Sequence, residues 1–597
     1  MSGGRPVETV GGSLDEALAR GAALLQSDPA LALKQAQVIL RKDGREPRAL
    51  RLAAAAHRAR GEADFAAKAE LLAIDEARRY PVLAQAAKAL NAGDFPAASD
   101  LAAKHLKDFP GDLAAIVLSA ESALGIGLHD KAIPMLKMVL DRAPGFAHAS
   151  VLLVNGLMLS DQLTEARKTL EPLIAANPDD IGLLSLQNRL LTGAGDFEGC
   201  VETTQQLIDL KPKSPDFRAD HADALRFVGL SDEAKEAYRK ALELDPDHAR
   251  SWWSLADLEA SSLSDDDIAY LTKRLETAGF KGEREINFHF ALAMAHHAQK
   301  DFDRAFAHFE AGNRKRREAD PFDAAEFREL MTRHLDYASS IAAAPKDAIE
   351  PASPLPLFVV GMPRAGSTLL ERMLGQSDDI EPLGELQVVS HMVQRLMLTQ
   401  GREALPQTIA GLNDQALASM GTWYRNRARE MMRSNSSIII DKMHMNWRHL
   451  PLILRMLPQA KIIDIRRDPM DCCWSNYRTL FARGHAASSD LEDIASFYRT
   501  YTHFTDALRE RYPGRIMLVE YENLVDRPQE VLGDVCEFLG VSYDEAMLAF
   551  HQSSEAVATA SSEQVRKPLN RKGIGAWKDY EAHLAPLSDA LGELAAN

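Results

Sequence analysis

Four short, mostly apolar runs punctuate the second half of the chain: Leu357 to Val360, Ile438 to Ile440, Ile462 to Ile465 and Ile516 to Val519. They lack the strict alternation of a half-exposed strand, and stretches that read as helices separate them. Apolar strands alternating with helices predict a parallel sheet covered on both faces. The first half is patterned differently. Small residues and prolines recur there at fixed offsets, which predicts paired helices. Between the halves, "AAAPKDAIEPASPLP" carries four prolines and no helical period, and reads as a linker. The expected organisation is α plus α/β. An all-α solenoid over residues 1–345 and a linker over 346–356 precede an α/β domain over 357–597 with a central parallel sheet.

The repeat can be counted. Pro110, Pro144, Pro178, Pro212 and Pro246 are each 34 residues apart. Pro47 and Pro81 keep the same interval, but the step from Pro81 to Pro110 is 29. Twelve residues before each of the five prolines stands a small side chain: Ala98, Ala132, Ala166, Cys200 and Ala234. Small residues let two helices approach, and proline closes the second. The unit "SDEAKEAYRKALELDPDHA", with Ala234, Tyr238, Ala241 and Pro246, resembles the tetratricopeptide repeat. Stacked repeats of that kind build a concave surface, expected to take a protein or peptide partner. The period is lost between residues 250 and 300, and "DFDRAFAHFEAGN" (Ala305, Phe309) reads as one further unit.

In a parallel α/β sheet, ligands sit beyond the carboxyl ends of the strands. The first predicted strand ends into Gly361-Met-Pro-Arg-Ala-Gly-Ser-Thr368. The others end into Asp441-Lys442, Arg466-Arg467-Asp468-Pro469 and Glu520-Tyr521-Glu522. The first loop follows the nucleotide-binding pattern G-x-x-x-x-G-K-[ST] at Gly361, Gly366 and Thr368, with Ser367 in the lysine slot. Its glycines permit tight turns, and the free N–H groups of a helix starting at Ser367 attract anions. Arg364 can grip a phosphate or sulfate with its forked guanidinium. In the third segment Asp468 fits a helix N-cap and Pro469 the first helical position. Ser475, eight residues after Arg467, lies within about 80° of the same helix face, so a second phosphate fits between them. Glu385 and Lys442 are candidates for handling protons and charge. Cys472, Cys473 and Trp474 read as core.

Composition narrows the choices. A chain of 597 residues holds two to four domains, and 46% hydrophobic with 26% charged residues reads as globular. A formal charge of -17, from 69 basic and 86 acidic side chains, argues against a nucleic-acid binder. Four cysteines without zinc spacing do not form a disulfide framework. The sequence shows neither a signal-peptide core nor a long apolar run, so the expectation is a cytoplasmic protein without a membrane span. Oligomeric state is not legible.

Taken together, these segments resemble the sulfotransferases that use PAPS (3′-phosphoadenosine 5′-phosphosulfate), and most of all their tyrosylprotein sulfotransferase branch. "PRAGSTLLERML" is similar to that family's 5′-phosphosulfate loop. "IIIDKMHMNWRHLPLILRMLPQAKIIDIRRDPMDCCWSNY" is similar to its lysine segment and 3′-phosphate segment. "LVEYENLVDRP" and "SSEQVRKPLNRKGIGAWKDYE" are similar to its Tyr-Glu strand end and its C-terminal cofactor-covering segment. The resemblance spans about Leu355 to Glu581 and leaves the repeats outside. It implies a P-loop-like sulfotransferase domain with PAPS as donor and no required metal. It implies that Arg364, Ala365, Gly366, Ser367 and Thr368 hold the 5′-phosphosulfate. Arg467 and Ser475, assisted by Arg478, would hold the 3′-phosphate, and Tyr521, Ser561 and Lys567 would line the site. Glu385 matches the family's catalytic base and Lys442 its catalytic lysine, with Arg364 also stabilising charge. A base of this kind works best if burial raises its pKa toward neutrality. Where the family often carries a basic residue before the last tryptophan, this chain has Ala576, so Lys572 or Lys578 would substitute.

The function expected is sulfuryl transfer to a hydroxyl, with a protein or peptide tyrosine as the first candidate and the repeats recruiting it. A sugar, lipid or small-metabolite acceptor is the alternative. A kinase or NTPase predicts a loop lysine and an acidic magnesium ligand, and the lysine is missing. A scaffold with a relic domain predicts loss of Glu385, Lys442, Arg364 and Arg467, all of which are present.

Overall fold

The computed structural model describes residues 13–340, 353–481, 484–552 and 567–596. The chain forms two compact units, Met1–Ala194 and Gly195–Asn597.

The first unit is a succession of helices from Leu14–Ser27 to Ile181–Ala194. Three of the counted prolines fall here, and each follows a helix end by two residues: Pro110 after Asp108, Pro144 after Arg142, Pro178 after Ala176. Ala98, Ala132 and Ala166 are fully buried, as close helix approach requires. Pro47 and Pro81 work in the opposite sense and open their helices, Pro47–Ala59 and Pro81–Asn91. That reversal accounts for the irregular step between Pro81 and Pro110.

The second unit opens with the same helical pattern, from Phe197–Leu210 to Ala324–Ser340. Helices persist where the period fades, at Ala249–Glu259, Asp265–Thr277 and Glu283–Ala298. The segment around Ala305 and Phe309 is the helix Phe302–Ala319, with both side chains buried. The expected linker lies largely outside the described residues.

A five-stranded sheet follows. Its strands are β1 (Leu355–Gly361), β2 (Ile380–Pro382), β3 (Ile438–Asp441), β4 (Lys461–Arg466) and β5 (Ile516–Glu520). The order is β2-β3-β1-β4-β5 and every pairing is parallel. The chain leaves β1 toward β2 and β3, then crosses to β4 and β5. The crevice at such a reversal is where doubly wound sheets bind ligands. Strand β2, three residues long and containing Glu381, escaped the sequence pattern.

Both faces of the sheet are covered. Leu357 and Val359 of β1 point into one core with Leu370, Ile440, Ile463 and Leu532. Phe358 and Val360 point into another that includes Trp447, Trp474, Phe497 and Tyr580. Phe290, Phe306, Phe309 and Phe327 of the preceding helices belong to that same core. The last repeat-like helices are therefore packed as one face of the sheet layer.

Candidate functional site

The loop after β1 is shaped by contacts that leave no room for side chains. Gly361 passes directly against the Ile465 carbonyl of β4. Gly366 has φ +103, and a Cβ there would lie 2.5 Å from the Tyr521 ring. Between them Arg364 itself takes φ 66, a left-handed conformation costly for a side-chain-bearing residue. Asn476, fully buried, donates to the Pro363 carbonyl at 2.7 Å and fixes the loop from the Pro469–Tyr477 helix. The helix Ser367–Leu374 starts immediately after Gly366, so its N-terminal end faces the loop.

Three of the expected anion ligands converge here. Arg364 Nε donates to Ser475 Oγ at 3.3 Å. Arg467 donates to the carbonyl of Arg364 at 3.2 Å and to that of Gly573, and its guanidinium lies over the Tyr521 ring 5.4 Å from the centroid. Its Nε is buried with no hydrogen-bond partner among the described residues. Burial, with Arg478 alongside, pushes the Arg364 guanidinium down to about 10, partly offset by the nearby Asp257 carboxylate of the helix Ala249–Glu259. Arg478 is lowered by burial in the same neighbourhood. Buried cations crowded together want an anion. Arg466 is not part of this group: it pairs with Asp464 at 2.8 Å and Asp506 at 2.6 Å.

Asp468 accepts from the Asp471 N–H at 2.8 Å as the helix N-cap, with Pro469 at the first position. Asp471, which the sequence did not single out, accepts the N–H groups of Gly575 and Trp577 at 2.6 and 3.1 Å. It pins the C-terminal segment beside Arg467. Lys567, Lys572 and Lys578 are exposed, and Ser561 lies outside the described residues. Cys472, Cys473 and Trp474 are buried core, and burial pushes the Cys472 thiol up to about 12.

The second group forms at the ends of β2 and β3. Their pairing continues past the strands, with the Leu383 N–H on the Ile440 carbonyl at 2.9 Å and the Lys442 N–H on the Gly384 carbonyl at 2.8 Å. This sets Glu385 against Lys442. Lys442 Nζ is 2.9 Å from Glu385 Oε1 and 3.6 Å from Glu371 Oε2. Glu371 sits on the loop helix, is buried, and leaves Oε1 without a partner among the described residues. Burial disfavours charge on Lys442, but Glu371 and Glu385 outweigh it and raise its pKa. Glu385 differs from the expectation. Burial pushes its carboxyl up, yet Lys442 and then His444 pull harder, and its pKa falls below the usual range. His444 Nδ1 is 3.9 Å from Glu385, and burial pulls its own pKa down to about 4. Asp441, next to Lys442, is fully buried and pushed up to about 7 by desolvation, while Tyr424 donates to it at 3.1 Å. Asp441, Glu371 and Asp471 were not read as site residues, because their roles depend on partners far away in sequence.

A parallel sheet carries a tight β1 loop, convergent arginines and a Lys–Glu pair at its carboxyl edge, a set of groups whose chemistry suits an anion. Residues 356–545 match the sulfotransferase family model, and residues 123–190 and 219–272 match tetratricopeptide repeat models. An uncharacterized protein of Aquifex aeolicus is 28% identical over 378 residues, which cover 62% of this chain and 49% of that protein. The chain thus spans about half the length of that relative. Protein-tyrosine sulfotransferase 1 of Danio rerio is 24% identical over 254 residues, 40% of this chain and 71% of that protein. Among solved structures, the sulfotransferase domain of the curacin biosynthetic pathway is 18% identical and covers 41% of this chain and 96% of that domain, with a TM-score of 0.28. The chain thus joins a region that matches the sulfotransferase family to regions that match tetratricopeptide repeats. Among the described residues, no helix is long and apolar enough to cross a membrane.

Proposed function

We propose that the protein transfers a sulfuryl group from PAPS to a hydroxyl of a protein or peptide, with tyrosine the first acceptor to test. The observation that carries this reading is the Lys442–Glu385 pair, 2.9 Å apart on neighbouring strand ends of the sheet that also carries the Arg364 loop. The donor set suits a bisphosphorylated nucleotide. Arg364 and the amides of the loop and helix start would hold the 5′ end, while Arg467, Ser475 and Arg478 would hold the 3′-phosphate. The unpartnered Nε of Arg467 is a donor available to such a group. PAPS, when bound, supplies an activated sulfuryl group on a bisphosphate leaving group.

Glu385 takes the proton of the attacking hydroxyl. Its depressed pKa keeps it ionised at neutral pH, so it is ready as a base once Lys442 releases it. Lys442, kept charged by Glu371 even when it leaves Glu385, neutralises the charge that builds on the leaving oxygen. Preorganised charge of this kind dominates many barriers. The repeats, a class of structure that generally binds other proteins, support a macromolecular acceptor.

Adenosine 3′,5′-bisphosphate should raise the melting temperature while ATP with magnesium should not, and the reverse ranking would sink the nucleotide assignment. Incubation with labelled PAPS and a cell extract, followed by fractionation, should place label in protein. Label in the glycan or lipid fraction alone would refute the protein acceptor and leave the transferase reading standing.

A further inference from the structure

The C-terminal segment 573–583 is fastened at both ends. At one end the Gly573 carbonyl receives Arg467, and the Asp471 carboxylate receives the N–H groups of Gly575 and Trp577. At the other end Tyr580 is fully buried. Its ring centroid lies 4.3 Å from that of Trp474 and 5.1 Å, in an edge-on arrangement, from that of Phe302. Its hydroxyl shares a hydrogen bond of 2.8 Å with His297 Nδ1, across 283 residues of sequence. His583 then stacks on Phe306 at 4.6 Å. His297 lies in the last turn of the helix Glu283–Ala298, while Phe302 and Phe306 belong to Phe302–Ala319. These helices precede the sheet and belong to the repeat-like half of the chain.

Packing alone does not explain the hydroxyl. A phenylalanine would fill the space between Trp474 and Phe302 equally well. A tyrosine there needs a partner for its O–H, and His297 provides it. Burial and the nearby Arg478 pull the His297 pKa down to about 4, so its ring is neutral at physiological pH and can share a proton with Tyr580 in either direction. The bond therefore fixes the far end of a short segment whose near end touches the proposed 3′-phosphate arginine.

We propose that His297 is a positioning residue for the cofactor site: through Tyr580 it holds the 573–583 strap, whose Gly573 carbonyl orients Arg467. The helices before the sheet then help to set the grip on nucleotide as well as carrying a partner-binding surface. This rests on the reading of the arginine cluster as the 3′-phosphate site.

The test uses the full chain, adenosine 3′,5′-bisphosphate as probe, and calorimetric titration of the wild type, His297→Leu, His297→Asn and Tyr580→Phe. A buried neutral hydrogen bond corresponds to roughly a three- to tenfold change in an equilibrium constant. His297→Leu and Tyr580→Phe should weaken bisphosphate binding by about that factor. His297→Asn, whose amide reaches the place of Nδ1, should recover most of the loss. Tyr580→Phe preserves the ring packing, so it decides the matter if His297→Leu fails to fold. Unchanged affinity in folded Tyr580→Phe, with only a lower melting temperature, would overturn the proposal and leave the nucleotide reading intact. Affinity of His297→Asn as poor as that of His297→Leu would overturn the hydrogen-bond route. A wild type that does not bind the bisphosphate would overturn the nucleotide reading itself, and this inference with it.

Discussion

At Glu385, two opposing influences meet on one carboxyl group. Burial raises its pKa, and the ammonium of Lys442 at 2.9 Å, together with His444, lowers it further than burial lifts it. The sign matters for activity. A base with a depressed pKa stays ionised as pH falls below neutral, so the acid limb of the kcat/KM profile should lie below the ordinary carboxylate range. A limb between pH 6 and 7 would instead mean a base poised near neutrality. The same depressed pKa adds stability above the unfolded value, which is lost as pH falls through the folded one. Glu385→Gln should reduce kcat by about 10²- to 10⁴-fold. Its affinity for adenosine 3′,5′-bisphosphate should stay close to wild type, and a matching collapse of affinity would make Glu385 a structural residue. At this scale the sequence was informative wherever a residue sat at the end of an apolar run, as Arg364, Lys442 and Arg467 do. It placed Asp441 at such an end without giving it a role, and singled out neither Glu371 nor Asp471. Those carboxyls matter through Tyr424, Lys442 and the Gly575 amide, and no local pattern announces such partners.

Among the elements, the β1 loop was the most legible and the most constrained. Its glycines were read as turn-makers, and the structure adds that Gly366 is also a space-maker for Tyr521. Gly366→Ala should therefore suffer twice. A left-handed backbone costs a side-chain-bearing residue about 1–2 kcal/mol, and overpacking against Tyr521 costs roughly 1–3 kcal/mol. Equilibrium denaturation should show a loss in that range, with bisphosphate affinity falling as Tyr521 and Arg467 are displaced together. Affinity equal to wild type would mean that the loop does not form the nucleotide site. Two elements were harder to see. Strand β2 is too short and polar for a periodicity argument, yet its extension past Pro382 is what delivers Glu385 to Lys442. Pro47 and Pro81 share the repeat interval but start helices rather than following them, because proline fits both places.

For the whole molecule, the change of pattern near residue 345 and the boundary of the compact units are different features. Sequence periodicity marks where strands begin; burial marks what holds together. The sheet shares its core with Phe290, Phe306, Phe309 and Phe327, all of which precede the strands. Burying one such side chain contributes about 1.5–3 kcal/mol, so four contribute roughly 6–12 kcal/mol. That equals a large part of the 5–15 kcal/mol that stabilises a typical domain. A chain starting near residue 341 should therefore expose an apolar face, aggregate, and fail to bind adenosine 3′,5′-bisphosphate. A chain starting at Gly195 keeps the whole second unit, and should fold and bind the bisphosphate close to wild type. Its use of a macromolecular acceptor should be weaker, because most of the repeat surface is gone. Gel filtration, bisphosphate titration and acceptor kinetics on the two truncations separate these effects. A soluble, bisphosphate-binding fragment from residue 341 would show that the helices before the sheet are dispensable to its core. Unchanged acceptor kinetics from Gly195 onward would remove the first unit from substrate recruitment and leave the choice of acceptor to the groups around Glu385.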